Sequence, residues 1–229
     1  MADISTIRHA SIFNAIKHRE QIHIVGAGAI GSRLWLALVE LGITEIAIYD
    51  FDVVEPHNLA NQIFLASHVG MPKVEALADY YRLKTGNRPP SSMEFGNKKI
   101  THEEGAAFDG VVFMALDTMH GRVMLGDLCD RGQHLIRRVF DTRMASSYGD
   151  VLSYDPNNRG EYNAWKATLI DDADAEVSPC GGSISVGPTA SLITNLAVWQ
   201  YILSCTDPVG VKSNINAHFK PLVMSIGAL

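Results

Sequence analysis

Glycine recurs at the first, third and sixth positions of the turn from Gly26 to Gly31, which follows the apolar segment Ile22 to Val25. Residues Ile30 to Leu41 then show the apolar spacing of a helix. A glycine turn between a strand and a helix can bind phosphate, because its backbone can approach closely and the helix N-terminus offers free N–H groups. The turn therefore predicts a nucleotide site. A turn that serves tight packing alone is the other interpretation.

Asp50 ends the second predicted strand, where a carboxylate accepts hydrogen bonds from ribose hydroxyls. A nicotinamide-dependent dehydrogenase has the same glycine turn and carboxylate, so these features leave a NAD-dependent oxidoreductase open. The residues that follow are more specific. They are the string DFDVVEPHNLANQ from Asp50 to Gln62, the string GMPK at 70–73, and Asp117 followed by Thr118 and Arg122.

These strings resemble the ThiF family, which includes the ubiquitin-activating, molybdopterin-synthase-activating and thiamine-pathway adenylyltransferases. The family pattern is DxDxVxxSNLxRQ, followed by a glycine and a lysine and later by a DN…R element. The resemblance runs from about Arg8 to Ser204. It implies an enzyme that uses ATP and Mg²⁺ to adenylate the C-terminal carboxylate of a small ubiquitin-like or sulfur-carrier protein or peptide.

The resemblance also implies which residues form the site. The expected nucleotide contacts are Gly26, Gly28, Ala29, Ile30, Gly31, Asp50, Asp52, Asn58, Asn61, Gln62 and Lys73. The expected catalytic residues are Lys73, Asp117, Cys180 and Arg8, with Asp117 also the ligand of Mg²⁺. Attack of a carboxylate on the α-phosphorus builds negative charge on phosphate oxygens, which a lysine, a metal ion and helix N–H groups stabilise.

Three of these residues have ordinary structural alternatives. Asn58 could cap a short helix, Lys73 could be a solvated charge at the start of an amphipathic helix, and Asp117 could cap the helix after its strand. Each alternative suffices for one residue. The spacing of the three residues taken together is what favours a nucleotide site.

Asn61 stands where the family pattern has an arginine, and a neutral amide lacks the charge and the five N–H donors of a guanidinium. Arg8 could compensate, because the family often supplies an arginine from an N-terminal segment to the partner subunit of a homodimer. An exposed, solvated Arg8 is the alternative. The loss at Asn61 also leaves open a catalytically weakened nucleotide-binding module.

Cys180 lies just before the last large predicted helix, where some family members carry a cysteine that forms a thioester with the substrate. Four nearby carboxylates oppose a thiolate there, and a small buried cysteine is the alternative; they are Asp171, Asp172, Asp174 and Glu176. The CxxC pairs that hold zinc in many bacterial members are absent from the sequence, so no structural zinc is expected.

Strands and helices alternate along the chain, which predicts an α/β fold: a Rossmann-like, mostly parallel sheet with helices on both faces and a mixed C-terminal part. We expect a single domain over 1–229. Within it we expect an amphipathic helical lead-in over 1–20 and an irregular surface excursion over 147–179, which is rich in Gly, Pro, Asn and Asp.

Composition sets the remaining expectations. The chain of 229 residues is 47% hydrophobic and has a formal net charge of -6 without a basic run, so we expect neither nucleic acid nor an anionic membrane as a partner. The N-terminal sequence lacks the basic and apolar regions of a signal peptide, and three widely spaced cysteines suit reduced thiols. We therefore expect a cytoplasmic protein.

Overall fold

The computed structural model describes residues 4–101, 108–131, 135–170 and 186–227. In these ranges, strands of one sheet alternate with helices along most of the chain. The strands are β1 Ile22–Val25, β2 Ile46–Tyr49, β3 Glu94–Gly96, β4 Gly110–Met114, β5 Ile136–Met144, β6 Tyr148–Tyr154, β7 Asn214–Phe219 and β8 Leu222–Gly227. The helices are α1 Ala29–Glu40, α2 Lys73–Thr85, α3 Met119–Arg131, α4 Arg159–Lys166 and α5 Gly187–Thr206.

The strand order of the sheet is β3-β2-β1-β4-β5-β6-β7-β8. The five strands from β3 to β5 are parallel, and β6, β7 and β8 are antiparallel to their neighbours. This arrangement confirms the predicted α/β class with a mixed C-terminal part. The chain moves outward from β1 through β2 to β3 and then crosses to β4 on the other side of β1, which places a ligand crevice at the carboxyl ends of β1 and β4.

Alternate side chains of the central strands enter two separate hydrophobic cores. Ile22 and Ile24 of β1 face a core that includes residues of α1, α2 and α5, while Val25 belongs to a core that includes residues of α3 and α4. This is the period of two expected of a strand buried on both faces. Helices therefore cover both faces of the sheet and hold the ends of its strands in fixed positions.

The predicted helical lead-in is wrong. Residues 4–20 form turns and one short 3₁₀ helix, Ala15–Lys17. The apolar periodicity misled because only Phe13 is buried, at 1% exposure, whereas Ile7 and Ile16 are 82% and 74% exposed. A short helix is stabilised mainly by burial of an apolar face. Burial of Phe13 alone does not provide such a face.

The prediction of an irregular surface excursion is also wrong for the part that the structure describes, residues 147–170. This part contains β6, whose Val151, Leu152 and Tyr154 are buried, and α4, which Asn158 caps by accepting the backbone N–H groups of Gly160 and Glu161. The polar residues that suggested a loop are thus a helix cap and the short connection before it.

The C-terminal segment forms a hairpin of β7 and β8, joined by a turn with a cis Lys220–Pro221 peptide bond. β8 is an edge strand of the sheet; it pairs with β7 and carries exposed Leu222, Val223, Met224 and Ile226. No helix within the described residues is long and apolar enough to span a bilayer.

Candidate functional site

The three glycines of the first turn have different structural roles. Gly26 has a φ of 101°, and a Cβ there would overlap the carbonyl oxygen of Ala115. A Cβ on Gly31 would overlap the carbonyl oxygen of Gly26. A Cβ on Gly28, in contrast, would have no atom within 4 Å. The fold thus needs glycine at 26 and 31, whereas Gly28 faces open space.

That open space lies at the N-terminus of α1. Gly28 is the N-cap residue, and it has no side chain to accept the free N–H groups of the first turn. Ala29 and Ile30, the next two residues, are buried, so the backbone rather than the side chains faces the open space. An N-terminus with free donors and empty room in front of it can accept an anionic group.

Asp50 ties the end of β2 to this turn. Its Oδ2 accepts the backbone N–H of Ala27 at 2.6 Å, and its Oδ1 accepts the N–H of Asp52 at 2.8 Å. Burial raises the pKa of Asp50, although the charge of Lys73 and these two N–H groups oppose the shift. Each carboxylate oxygen keeps a lone pair with which it can accept a bond from a hydroxyl group.

Beside Asp50 lies a polar cleft of about 360 Å³. Its lining residues are Phe51, Asp52, Val53, Glu55, His57, Asn58 and Lys73. The Lys73 side chain is only 9% exposed, and its Nζ donates to Asp52 Oδ2 at 2.8 Å. The interpretation of Lys73 as a solvated surface charge is therefore wrong.

Asn58 is buried and forms part of a 3₁₀ helix, Pro56–Ala60. Its Oδ1 accepts the backbone N–H of Glu55 at 2.9 Å, so the capping interpretation is correct for this oxygen. A role for Asn58 toward a phosphate or a metal stays a prediction.

Asp117 is exposed in the connection between β4 and α3. It does not cap α3, since the Thr118 hydroxyl accepts the N–H of Gly121 at 3.1 Å. The backbone on both sides of Asp117 is held by Arg122, which donates to the carbonyl oxygens of Leu116 at 2.7 Å and Thr118 at 3.2 Å. A buried guanidinium thus fixes the backbone that presents Asp117.

Asp141 neutralises Arg122. This carboxylate lies within β5 and is fully buried. Its Oδ1 accepts Arg122 Nε at 2.8 Å, and its Oδ2 accepts Arg143 Nε at 2.8 Å and Trp165 Nε1 at 3.0 Å. Burial by itself would raise the pKa of Asp141, but the two guanidinium charges and these hydrogen bonds lower it below the ordinary value.

The glycine turn, Asp50, Lys73 and the Asp117 connection come from four separate parts of the chain and meet at one edge of the sheet. The pattern of the ThiF family matches residues 6–222, nearly the whole sequence. The chain belongs to the ThiF family. This family assignment confirms the resemblance inferred from the motif strings.

Individual relatives match a smaller part of this chain than the family pattern does. SAMP-activating enzyme E1 of Haloferax volcanii is 34% identical over 114 residues, which are 48% of this chain and 41% of that protein. A crystal structure of Escherichia coli MccB with ATP has a TM-score of 0.69 and 15% identity, covering 93% of this chain and 65% of that one. Escherichia coli tRNA N6-threonylcarbamoyladenosine dehydratase has a TM-score of 0.64 and 18% identity, covering 89% of this chain and 95% of that one.

The chain thus spans less than half of the length of this curated relative. At such low identities, the two crystal structures show that the fold of this ThiF-family chain is shared, and nothing finer.

Of the other two predicted catalytic residues of this ThiF-family chain, the structure describes Arg8 and does not describe Cys180. Arg8 is exposed in the N-terminal segment, where nearby Thr6 packs against Gly42 beyond the C-terminal end of α1. Arg8 therefore lies at the opposite end of α1 from the chain's own glycine turn. Cys180 lies outside the described residues, as do the four carboxylates that precede it.

No cluster of three or more His, Cys, Asp or Glu side chains with the geometry of a metal site is found in the described part of the chain. Asp117 is thus accompanied by at most one further such side chain in this part of the chain. Mg²⁺ is commonly bound by one or two carboxylates together with substrate phosphates and water, so one aspartate is compatible with that ion.

Residues 61 and 62 lie next to the first turn of α1. Gln62 Oε1 is buried and has no hydrogen-bond partner among the residues that the structure describes. The carbonyl oxygen of Asn61 accepts a bond from the guanidinium of Arg33 at 2.5 Å. Arg33 is not among the site residues predicted from the sequence. The available signal was an arginine two residues after the glycine turn, with Ala29, Ile30, Leu36 and Ala37 rather than a carboxylate at the neighbouring helical positions.

Proposed function

We propose that this chain is an adenylyltransferase that uses ATP and Mg²⁺ to activate the C-terminal carboxylate of a small ubiquitin-like or sulfur-carrier protein or peptide. The observation that carries the proposal is the buried Lys73, whose ammonium group reaches a polar cleft beside Asp50 and the glycine turn. A buried lysine with its amine at the wall of a cleft is suited to hold phosphate oxygens.

The proposed reaction forms a bond between a carboxylate oxygen of the substrate and the α-phosphorus, and it breaks the bond between the α-phosphorus and the bridging oxygen to the β-phosphorus. Pyrophosphate leaves, and the product is an acyl-adenylate. Asp50 would accept the ribose hydroxyls, and the N–H groups at the start of α1 would bind the phosphates beside Gly28. Lys73 would stabilise the charge that develops on the phosphate oxygens.

Asp52 prepares Lys73 for this role. The pair at 2.8 Å holds the Lys73 ammonium at the wall of the cleft before any nucleotide binds, while Asp52 itself is half exposed. Such preorganisation lowers the cost of orienting the cation at the moment of reaction. Mg²⁺ held by Asp117 would neutralise further charge on the phosphates.

The decisive test is ATP–pyrophosphate exchange with candidate partner proteins, of which a small protein with a C-terminal Gly-Gly is the first choice. We expect exchange with the wild type and a loss of about a hundredfold or more in Lys73→Met, because this variant removes one charge-stabilising donor. Lys84→Met is the matched control, since Lys84 lies on the same helix but pairs with Glu40. Exchange that survives in Lys73→Met contradicts the role of Lys73.

Thermal shift separates this proposal from an oxidoreductase, because a ligand that binds only the folded state raises the melting temperature. ATP with Mg²⁺ should stabilise the protein more than NAD does. ATP binding without exchange, for every partner tried, would instead favour a weakened nucleotide-binding module. Asn61 is the feature that motivates this second candidate.

Two further parts of the proposal concern Cys180 and Arg8. In the first, the Cys180 thiolate attacks the carbonyl of the acyl-adenylate, AMP leaves, and a thioester forms; a thiol-sensitive adduct that disappears in Cys180→Ser is the expected result. In the second, a homodimer brings Arg8 to the partner subunit's site. A monomer at assay concentrations would refute the second part.

A further inference from the structure

Arg33 of α1 holds its guanidinium between three separate parts of the chain. Its Nη1 donates to the carbonyl oxygens of Ala29 at 3.2 Å and Asn61 at 2.5 Å. Its Nε donates to the Ser191 hydroxyl, in the first part of α5, at 3.0 Å. The side chain thus joins the first turn of α1, the end of a 3₁₀ helix and the start of α5, so its head group has a defined position.

This positive charge has no carboxylate partner among the residues that the structure describes. The three bonds above use three of the five N–H groups of a guanidinium, and both N–H groups of Nη2 lack an acceptor in the same part of the chain. Burial lowers the pKa of Arg33, but an arginine stays charged in proteins. The free donors of this cation are therefore available to water or to an anionic ligand.

The position of Arg33 indicates which anion it meets. Asp50 accepts a hydrogen bond from Ala27, the residue before Gly28, while Arg33 donates one to Ala29, the residue after it. A nucleotide whose ribose lies at Asp50 and whose phosphates cross Gly28 would therefore extend its terminal phosphates toward Arg33. Nη2 also faces Gly187, the first residue of α5, at 3.5 Å from the position of a Cβ there.

We propose that Nη2 of Arg33 binds the terminal phosphates of ATP and supplies from α1 the positive charge that Asn61 lacks. The proposal rests on the function proposed above. The carbonyl of Asn61 itself holds the guanidinium, so a cation is present at position 61 although the residue there is neutral. The substitution at 61 would then relocate a charge within the site rather than remove it.

The test compares ATP with AMP, since AMP lacks the phosphates that Arg33 is proposed to bind. We expect Arg33→Gln to weaken ATP binding about tenfold to a hundredfold, as for the loss of a hydrogen bond to a charged group. AMP binding should change less than about threefold. Arg82→Gln is the matched control, because Arg82 is exposed on α2 and pairs with Asp79. Calorimetric titration at one fixed salt concentration gives all of these dissociation constants.

A second variant distinguishes phosphate binding by Arg33 from a merely structural role. If the guanidinium supplies charge at position 61, adding Asn61→Arg to Arg33→Gln should restore at least part of the ATP affinity. Equal losses for ATP and AMP, no loss for ATP, or no rescue by Asn61→Arg would each overturn the proposal. If Arg33→Gln fails to fold, Arg33→Lys replaces it in the ATP and AMP titrations, because a lysine keeps the charge but cannot keep all three anchoring bonds; the same loss for both ligands then overturns the proposal.

Failure of the broader function would be seen separately. Wild-type exchange together with unaltered ATP binding in Arg33→Gln refutes the role of Arg33 alone. Wild-type ATP binding without exchange refutes adenylation, while the comparison of ATP with AMP still tests Arg33.

Discussion

Gly28→Ala should separate nucleotide binding from folding. Gly28 has a φ of -76°, and a Cβ at this position meets no atom within 4 Å. The substitution should therefore change the free energy of unfolding by no more than about 1 kcal/mol, and the melting temperature by no more than about 4 °C. The methyl group would instead occupy the space in front of the α1 N-terminus. Losing one charge-assisted hydrogen bond there costs about 1.5–3 kcal/mol, which weakens ATP about tenfold to a hundredfold.

Calorimetric titration with ATP and thermal unfolding of the free protein measure the two effects. Gly31→Ala is the matched control, because its Cβ would overlap the carbonyl oxygen of Gly26. It should cost about 1–3 kcal/mol or more and lower the melting temperature by about 2 °C or more. Wild-type ATP affinity in Gly28→Ala would refute the phosphate site. Unfolding of Gly28→Ala as easily as Gly31→Ala would refute the division of roles between the glycines.

Further predictions concern the support of the Asp117 connection. Asp141→Asn leaves the buried Arg122 and the neighbouring Arg143 without their carboxylate, and it should destabilise the protein by about 3–5 kcal/mol in denaturant titrations. Because folding lowers the pKa of Asp141, its stabilisation should be complete above the ordinary value of 3.8 and be lost as the pH falls below it; acid titration followed by circular dichroism checks this, and Asp141→Asn should lack that component. Thr118→Ala removes the cap of α3, so it should cost about 0.5–2 kcal/mol in thermal unfolding.

The strands β1, β2 and β4 could be predicted from the sequence because each combines a short apolar run with a clear boundary. The strand–turn–helix unit from Ile22 to Glu40 is one such case, since the local pattern and the tertiary structure agree. The segment around β6 and α4 could not be predicted. Gly149 and Asp150 are typical of loops, but the pairing of β6 with β5 and β7 makes them part of a strand. Asn158 is also typical of a loop, and here it caps α4.

The site was partly predictable for a related reason. Asp50 and Lys73 both match the pattern of the ThiF family, so the resemblance indicated a shared site. Arg33 contacts Asn61 and Ser191, which are far from it in sequence, and no local pattern reports such contacts. The same holds for Arg122, whose carboxylate partner Asp141 belongs to the strand after its own helix.

The exposed edge of β8 affects how assembly of this protein must be measured. A free edge with apolar side chains is a template for pairing with another strand, and proteins often protect such edges with charge. Self-association through β8 would grow with protein concentration and mimic a dimer in sizing experiments. Val223→Lys places a charge on this edge and should suppress such pairing. An oligomeric state that survives this substitution would belong to a different surface of the molecule.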